Sequence, residues 1–572
     1  MLRINPLTSL NRMKIFKTTA FILLWGVCLP TLPAAALPSV DKLPPEFKNP
    51  LPLEGLPILP SQFQVPDLLP SPTTPSTPDQ VPSNGATVAI QSVEVLGSTV
   101  FSEAELQEAI APWLGKTATF ADLLALRTAI TALYTGKGYV TSGAFLPAQD
   151  LQGGRIKIQV VEGAIEAIDI EGLNRLRPGY VRDRLTRAAQ TPIHLPDLEA
   201  ALQQLQRDPR FSQIQTELSA GSAPGLSRLT LRLTEADPLT VQLQGHNYDA
   251  PSIGATRGAI TATHLNLLGW GDTLSGSYGT TAGLDTWAVD YTLPINARNG
   301  TVRFHYDQSQ SQVIEDPFSS LGIVARSKTG LLELRQPLVQ NLTTEFTVGA
   351  SLALRESRTF LLEDVPFSFS LGPERGVSRV TTLGLFQEWV QRSPRRVIAA
   401  RSQFNVGLDW FDATRNDFGI DGRSTRWTGQ LQCVEAFDRD FLAIARLGGQ
   451  LTGDRLLPME QFAVGGVDTV RGYRTNSQVG DNGWYGSLEA RFTVLRDDRW
   501  GTLQITPFFD LGSSWHTGEA GSEFLSSTGL GLAWQPGGNI MMFRLDWGLP
   551  LTGESDRHQR GLMFSVMVEP QF

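Results

Sequence analysis

From about residue 238 to the end, the chain alternates apolar and polar residues strand after strand, and its polar faces carry charge. Leu239, Val241 and Leu243 alternate with Thr240, Gln242 and Gln244; Trp287, Val289, Tyr291 and Leu293 with Ala288, Asp290 and Thr292; Met541, Phe543, Leu545 and Trp547 with Met542, Arg544 and Asp546. Period two is the mark of a strand with two unlike faces. A dry sandwich core would tolerate Asp290, Arg544 and Asp546 poorly, because a buried unpaired charge is costly. A closed barrel in a membrane keeps such residues in a wet lumen and turns the apolar face to lipid. Sixteen candidate strands fit in these 335 residues, about 21 residues for each strand and its connection. That spacing suits membrane strands of ~9–11 residues. Residues 237–572 are therefore predicted to form an all-β transmembrane barrel of sixteen antiparallel strands.

The ends of the chain agree with that setting. Residues 1–36 carry Arg3, Arg12, Lys14 and Lys17 and no acid, then the apolar run Ala20–Leu29 and the small residues Ala34-Ala35-Ala36. This reads as a secretory signal peptide, starting at either Met1 or Met13. Beyond it no uninterrupted apolar run reaches the ~20 residues of a membrane helix. At the other end Leu562, Phe564, Val566, Val568 and Phe572 share one face of a closing strand that finishes on an aromatic residue. The net charge of −9 argues against nucleic acid as the main partner. Of the two cysteines, Cys28 lies in the signal and Cys433 remains, so no internal disulfide is expected.

Between these ends lie three further segments. Residues 37–85 form a Pro-rich linker, with 13 prolines between Pro38 and Pro82, too many for a helix or central strand. Residues 86–163 read as a compact α+β unit. It has a strand at Val88–Val95, a helix opened by Ser102 with Glu105 three residues on, and a second helix carrying Leu123, Leu126, Ile130 and Tyr134. A final strand runs over Arg155–Gly163. Residues 164–236 repeat the order of elements, with strands at 165–170, 211–219 and 227–235 and helices at 178–189 and 195–206.

The most distinctive local pattern is Gly465-Gly466-Val467-Asp468-Thr469-Val470-Arg471-Gly472-Tyr473. Gly465, Gly466 and Gly472 give this loop the backbone freedom to fold inward. The strand that follows at 484–492 is succeeded by one carrying Gln504, Thr506, Phe508, Asp510 and Gly512 on its polar face. An inward loop brings Arg471 to Asp510, with Tyr473 packing on lumen side chains. Trp270, Trp287, Trp484, Trp500, Trp515, Trp534 and Trp547 read as membrane-interface girdle residues.

Taken in order, Lys137-Gly138-Tyr139-Val140, Leu146-Pro147-Ala148-Gln149, Val161-Glu162-Gly163, Leu457–Phe462, Gly465-Gly466, Val470-Arg471-Gly472-Tyr473 and Phe508–Gly512 resemble the ShlB/FhaC/HecB haemolysin secretion/activation family. These are two-partner-secretion transporters of the outer membrane. The resemblance implies α+β POTRA repeats (86–163 and 164–236) in the periplasm, followed by the barrel. It implies that the POTRA domains bind one unfolded secreted client protein and that the barrel exports it. Its site residues here are Val470, Arg471, Gly472 and Tyr473 on the inward loop, with Phe508, Asp510 and Gly512 on the facing strand. Gly138, Tyr139, Pro147, Gln149, Glu162 and Gly163 mark the first POTRA domain, where Tyr139 and Glu162 read as core and turn residues. Phe572 is the signal for the barrel-assembly machinery. The remaining partners are outer-membrane lipid and that machinery, the protein acting as a monomer.

Two alternatives remain open: a barrel-assembly factor of the same superfamily, and a passive porin. An enzyme is not expected, since the six histidines are scattered and no Gly-x-Ser-x-Gly or phosphate loop occurs. No cofactor and no metal is implied. Relatives with a plug helix ahead of the linker differ from this chain, whose residues 37–60 hold seven prolines. The lumen is expected to be closed by the inward loop alone or by the segment 357–378.

Overall fold

The computed structural model describes residues 87–569, apart from 152, 418, 520, 539 and 553–560. The expected signal (1–36), the Pro-rich linker (37–85) and Phe572 lie outside the described residues.

The first unit comprises β1 (Thr87–Ala89), β2 (Ser92–Leu96), α1 (Glu103–Ile110), β3 (Thr117–Thr119), α2 (Phe120–Gly136), β4 (Gly143–Phe145) and β5 (Arg155–Val161). Both helices open on a capping box, Ser102 with Glu105 and Thr119 with Asp122, so the orphan N–H groups of each first turn are met locally. Leu123, Leu126, Ile130 and Tyr134 recur at helical spacing on α2 and share one core with Ile156, Ile158 and Val160 of β5. The alternation at 88–95 predicts one strand, and the structure has two. The first, β1, pairs with β3, whereas β2 runs parallel to β5 in the order β2-β5-β4. The switch falls at Ile90 and Gln91, where Ile90 C=O accepts from Gly115 at 2.9 Å and Gln91 N–H donates to Gly154 at 2.8 Å. Period two fixes which face a residue takes and says nothing about its partner strand.

The second unit comprises β6 (Ala164–Glu171), α3 (Pro178–Ala188), α4 (Leu195–Gln206), β7 (Phe211–Ala220) and β8 (Leu226–Glu235), with sheet order β6-β8-β7. Leu198, Leu202 and Leu205 of α4 pack in one cluster with Leu229, Leu231 and Leu233 of β8. A helical stripe thus meets a period-two face, the arrangement the spacing of both segments dictates.

The barrel begins with β9 (Leu239–His246), β10 (Arg257–Leu265), β11 (Thr273–Thr280), β12 (Leu284–Pro294), β13 (Thr301–Gln312), β14 (Val324–Gln340) and β15 (Thr344–Leu361). A two-residue strand, β16 (Val365–Pro366), folds back on the end of β15. Then follow β17 (Val377–Arg392), β18 (Arg396–Leu408), β19 (Thr425–Ala436) and β20 (Phe441–Thr452). A loop holding the short pair β21 (Phe462–Val464) and β22 (Gln478–Gly480) leads to β23 (Asn482–Asp497), β24 (Gly501–Trp515), β25 (Glu523–Gln535), β26 (Met541–Pro550) and β27 (Leu562–Val568). Setting aside β16, sixteen antiparallel strands close the barrel, β27 pairing with β9. Closure gives every one of the sixteen strands a neighbour on each side, as a sheet that spans a membrane requires.

Parity sorts the wall as expected. On β17, Leu383, Leu385 and Trp389 face outward while Glu388, 3% exposed, faces in. Inside the same wall Glu388 pairs with Arg335 and with Arg401, the latter at 2.6 Å. Of the girdle tryptophans, Trp270 stands on a periplasmic turn, where the Arg177 guanidinium lies 4.9 Å over its ring. That turn also holds the second unit: Arg177 N–H donates to Gly269 C=O at 2.9 Å, and Arg210 reaches Gly271 C=O. Arg184 Nε donates to Asn299 on the next turn at 2.8 Å. These contacts fix which end of the barrel faces the α+β units.

Of the segment 357–378, the first and last residues belong to β15 and β17. Gly372 in its middle packs on Ile420 and Leu457, at the root of the loop that follows β20.

Candidate functional site

The loop between β20 and β23 is fixed at its roots before it turns inward. Asp481, 1% exposed, accepts from the N–H groups of Leu456 and Thr517, each at 2.9 Å. Glu460, also buried, pairs with Arg355 of β15 at 2.7 Å and with Arg426 of β19. Its carbonyl accepts from Gln450 Nε2 at 3.0 Å. From there β21 and β22 carry the chain into and out of the lumen. Gly465 (φ +110°) and Gly466 (φ +98°) make the bend, in backbone conformations that side chains with a Cβ rarely adopt.

At the end of this hairpin Arg471 is 3% exposed. Its Nε donates to Asp510 Oδ2 at 2.7 Å, its terminal nitrogen to Oδ1 at 2.9 Å, and its backbone N–H to Oδ2 at 3.1 Å. The other terminal nitrogen donates to Glu489 at 2.7 Å, while the one bonded to Oδ1 also reaches Ser487 Oγ at 3.3 Å. The guanidinium stacks 3.5 Å over the Phe508 ring. A planar fork held by two carboxylates and an aromatic face is a site for arginine, not lysine. Gly472 (φ +92°) passes against Gly548 of β26, where a Cβ on Gly548 would come within 2.7 Å of the Gly472 Cα. Tyr473, 1% exposed, reaches the carbonyls of Ser526 (3.0 Å) and Thr552 and accepts from Thr552 N–H at 3.3 Å. Val470 shares a buried cluster with Val464, Tyr473 and Leu525, and Gly512 leaves room for Val464 and Val470 beside β24.

The loop is strapped to the connections after β9 and β13 as well. Thr475 Oγ1 donates to Tyr248 C=O at 2.5 Å, and Arg474 pairs with Glu315. Four predicted loop residues and three predicted strand residues thus meet in one place. Alternation puts Arg544 and Asp546 on one polar face, and Glu489 and Arg491 on the polar parity of the strand at 484–492, without joining any of them to Arg471. In the structure Glu489 bonds Arg471, Arg491 (2.6 Å) and Arg544 (2.9 Å), and Asp546 bonds Arg544 at 2.6 Å. Their parity on β23 and β26 was the available signal; the pairing order β23-β24-β25-β26, which brings those faces together, was not. Glu460 sat unremarked inside Leu457–Phe462.

The marks in the first unit serve its own geometry. Glu162 accepts from Thr99 N–H at 2.6 Å, Val100 N–H at 3.2 Å and Tyr134 Oη–H at 3.0 Å, and also bonds the Thr99 hydroxyl at 2.5 Å. Burial pushes this carboxyl up, but these donors hold it below the usual carboxylate range. Gln149 completes the sheet edge with its side chain, accepting from Lys157 N–H at 2.6 Å and donating to Lys157 C=O at 2.7 Å, as a paired peptide would. It also donates to Pro147 C=O at 3.3 Å. Gly138, Tyr139 and Gly163 stand at the junction of the two units. Gly138 C=O accepts from Leu195 at 3.0 Å, Gly163 C=O from Ile193 at 2.9 Å, and the Tyr139 ring lies 5.2 Å from that of His194. Among the described residues no three His, Cys, Asp or Glu side chains group as a metal site.

Comparison with known proteins bears on this geometry. A family model described as haemolysin secretion/activation protein ShlB/FhaC/HecB matches residues 225–534, and one described as POTRA domain, ShlB-type, matches residues 88–163. The outer membrane transporter CdiB of Escherichia coli is 25% identical over 472 residues, covering 80% of this chain and 78% of that protein. The hemolysin transporter protein ShlB of Serratia marcescens is 23% identical over 463 residues, 77% of either chain. The solved structure of Escherichia coli CdiB superposes with a TM-score of 0.68 at 23% identity, over 87% of this chain and 93% of that one.

Proposed function

Because the chain belongs to the ShlB/FhaC/HecB haemolysin secretion/activation family of outer-membrane transporters, we propose that it exports one dedicated client protein, bound unfolded in the periplasm and passed through the barrel lumen. On this reading the units at 86–163 and 164–236 are two POTRA domains that receive the client. The observation that carries the proposal is the loop held in the lumen by Arg471, since a buried ion cluster at the centre of a polar conduit is a latch and not a wall. Arg471 touches Asp510 and Glu489 without any backbone pairing between the loop's Val470–Tyr473 and the strands that carry them. The loop can therefore shift while every ladder of the barrel stays intact.

A transporter in the outer membrane has no nucleotide at hand, so direction must come from binding on one side and folding on the other. Sheet edges of the α+β units can take an extended client by strand addition. The strand β7 offers ten residues at one such edge. The lumen wall supplies charges of both signs already paired with one another, which gives a passing chain polar contacts without a deep well. The protein acts as a monomer, with the barrel-assembly machinery as its partner during biogenesis.

Deleting residues 86–163 tests this reading. Export of a single large secreted protein should stop while the general porins stay at normal levels. Loss of many unrelated barrels from the outer membrane would instead make the chain an assembly factor.

A further inference from the structure

The outer ends of three neighbouring strands carry a second kind of surface. On the outward face of β14, β15 and β17, Leu332, Leu352 and Leu383 stand side by side in register, with Leu334, Ala350 and Leu385 in the next row toward the periplasm. Leu332, Leu334, Leu383 and Leu385 are 42%, 46%, 36% and 57% exposed, the aliphatic belt of a lipid-facing wall. Toward the outside, the row of Gly330, Leu354 and Thr381 comes first. The next row is Lys328, Glu356 and Arg379, and the one after it Arg326, Arg358 and Val377. Lys328 is four residues from Leu332, about 13 Å along the strand at ~3.3 Å per residue.

The neighbouring strands show what depth this is. Lys328 continues the row of Tyr278, Trp287 and Gln308 on β11, β12 and β13. Trp287 and Tyr306 touch at 5.2 Å between ring centroids, and both are exposed. Exposed aromatic side chains just beyond an aliphatic belt mark the level of the lipid headgroups. Lys328 stands 12 residues from the periplasmic end of β14 and Trp287 seven from that of β12, so in strands tilted by ~35–45° the cations lie at or outside the level of these rings, among the headgroups of the outer leaflet.

Their pairing leaves charge to spare. Arg358 and Arg379 each give only Nε to Glu356, both at 2.7 Å, so their terminal nitrogens are not used in that pair. Arg326 lies 5.0 Å over the Phe360 ring, and neither it nor Lys328 has an ion pair among the described residues. Asp412 is the second carboxylate whose field reaches Arg379. Four cations against two carboxylates, on a face that meets membrane and not client, call for an anionic ligand that the membrane itself supplies. We propose that Arg326, Lys328, Arg358 and Arg379 form a binding site for the phosphate groups of an outer-leaflet phosphorylated glycolipid, with its acyl chains lying along Leu332, Leu352 and Leu383. Guanidinium forks match phosphate oxygens bidentately, the ammonium adds a point charge, and the leucine rows bind what a free phosphate lacks.

The test uses the full chain in detergent micelles, with bis-phosphorylated lipid A as the probe and binding followed by native mass spectrometry. Against R326Q/K328Q/R358Q the wild-type protein should bind lipid A at least tenfold more tightly, and K328Q alone should lose about threefold. Dephosphorylated lipid A should bind wild type and variant alike, and inorganic phosphate should not displace lipid A. The control R496Q/R499Q, at the periplasmic rim, should bind as wild type does, and unchanged heat-modifiable mobility should show that each barrel has folded. Equal binding by the triple variant, no preference for the phosphorylated form, displacement by inorganic phosphate, or an equal loss in the rim control would each overturn the proposal.

Discussion

Replacing Arg471 by alanine should release the loop and leave the barrel standing. The substitution removes side-chain bonds to Asp510, Glu489 and Ser487 and keeps only the backbone N–H on Asp510. The two carboxylates fare differently. Glu489 retains Arg491 and Arg544, whereas the hydrogen bonds that reach Asp510 from the described residues all come from Arg471. Leaving one partner of a buried pair uncompensated costs ~3–5 kcal/mol. At ~1.4 kcal/mol per tenfold, that shifts the ratio of docked to released loop by roughly two to three and a half decades. Asp510→Ala should cost less, because Arg471 then keeps Glu489 at 2.7 Å. The double variant should be little worse than Arg471→Ala, since both substitutions break one interaction. Arg471→Lys should fall between, as a point charge cannot hold both carboxylates and cover the Phe508 ring. Protease cleavage at Arg474 from the outer face, together with single-channel conductance of the purified protein, reads the loop's position. Heat-modifiable mobility reads the barrel. Strictly additive losses in the double variant, or a loop as protected as wild type in Arg471→Ala, would refute the latch.

Two further outcomes follow from local geometry. The Glu162 carboxyl is held below its usual range, so its contribution to the first unit is present above the unfolded value of ~4.3 and is lost as pH falls through the lower folded value. Glu162→Gln should lower hydrogen-exchange protection of the Thr99 and Val100 amides at neutral pH and flatten its acid dependence; wild-type protection in the variant would remove that role. At the barrel seam β27 and β9 pair, among the described residues, over Ser565–Val568, and Asn247 extends the ladder with its side chain, donating to Leu562 C=O at 3.0 Å and accepting from Phe564 N–H at 2.7 Å. Asn247→Ala leaves both backbone groups wanting, at ~1–3 kcal/mol each, and should lower the temperature at which the folded band converts on gels by several degrees; an unchanged transition would show that the seam does not depend on it.

Most of the barrel was legible because membrane strands obey a strict parity. Asp510, Glu489 and Arg544 each took the lumen face that alternation assigned them, and Leu239 or Trp547 the outer one. The meeting of Arg471 with Asp510 was legible too, because three glycines in a loop that precedes a polar-faced strand leave few other places for an arginine. The remaining members of the cluster were not, since Asp546 lies 36 residues beyond Asp510 and joins it only through strand order. The split of Val88–Val95 between two partners depends on Gly115 and Gly154 meeting Ile90 and Gln91, contacts that no periodicity encodes. Gln149 enters through the family resemblance alone, and its pairing with Lys157 gives the physical reason. The outer basic rows were invisible because a charge on the lipid-facing parity breaks the very pattern used to find strands.

Passage of a client through the lumen can be read directly by crosslinking. A photo-crosslinking residue at Arg401 or Arg491, both on the lumen face, the first half-buried and the second buried, should trap the exported protein during secretion. The same residue at Leu385, 57% exposed on the outer face, should trap none. Crosslinks at Leu385 and none at either lumen position, in cells that export normally, would mean that the client never enters the barrel.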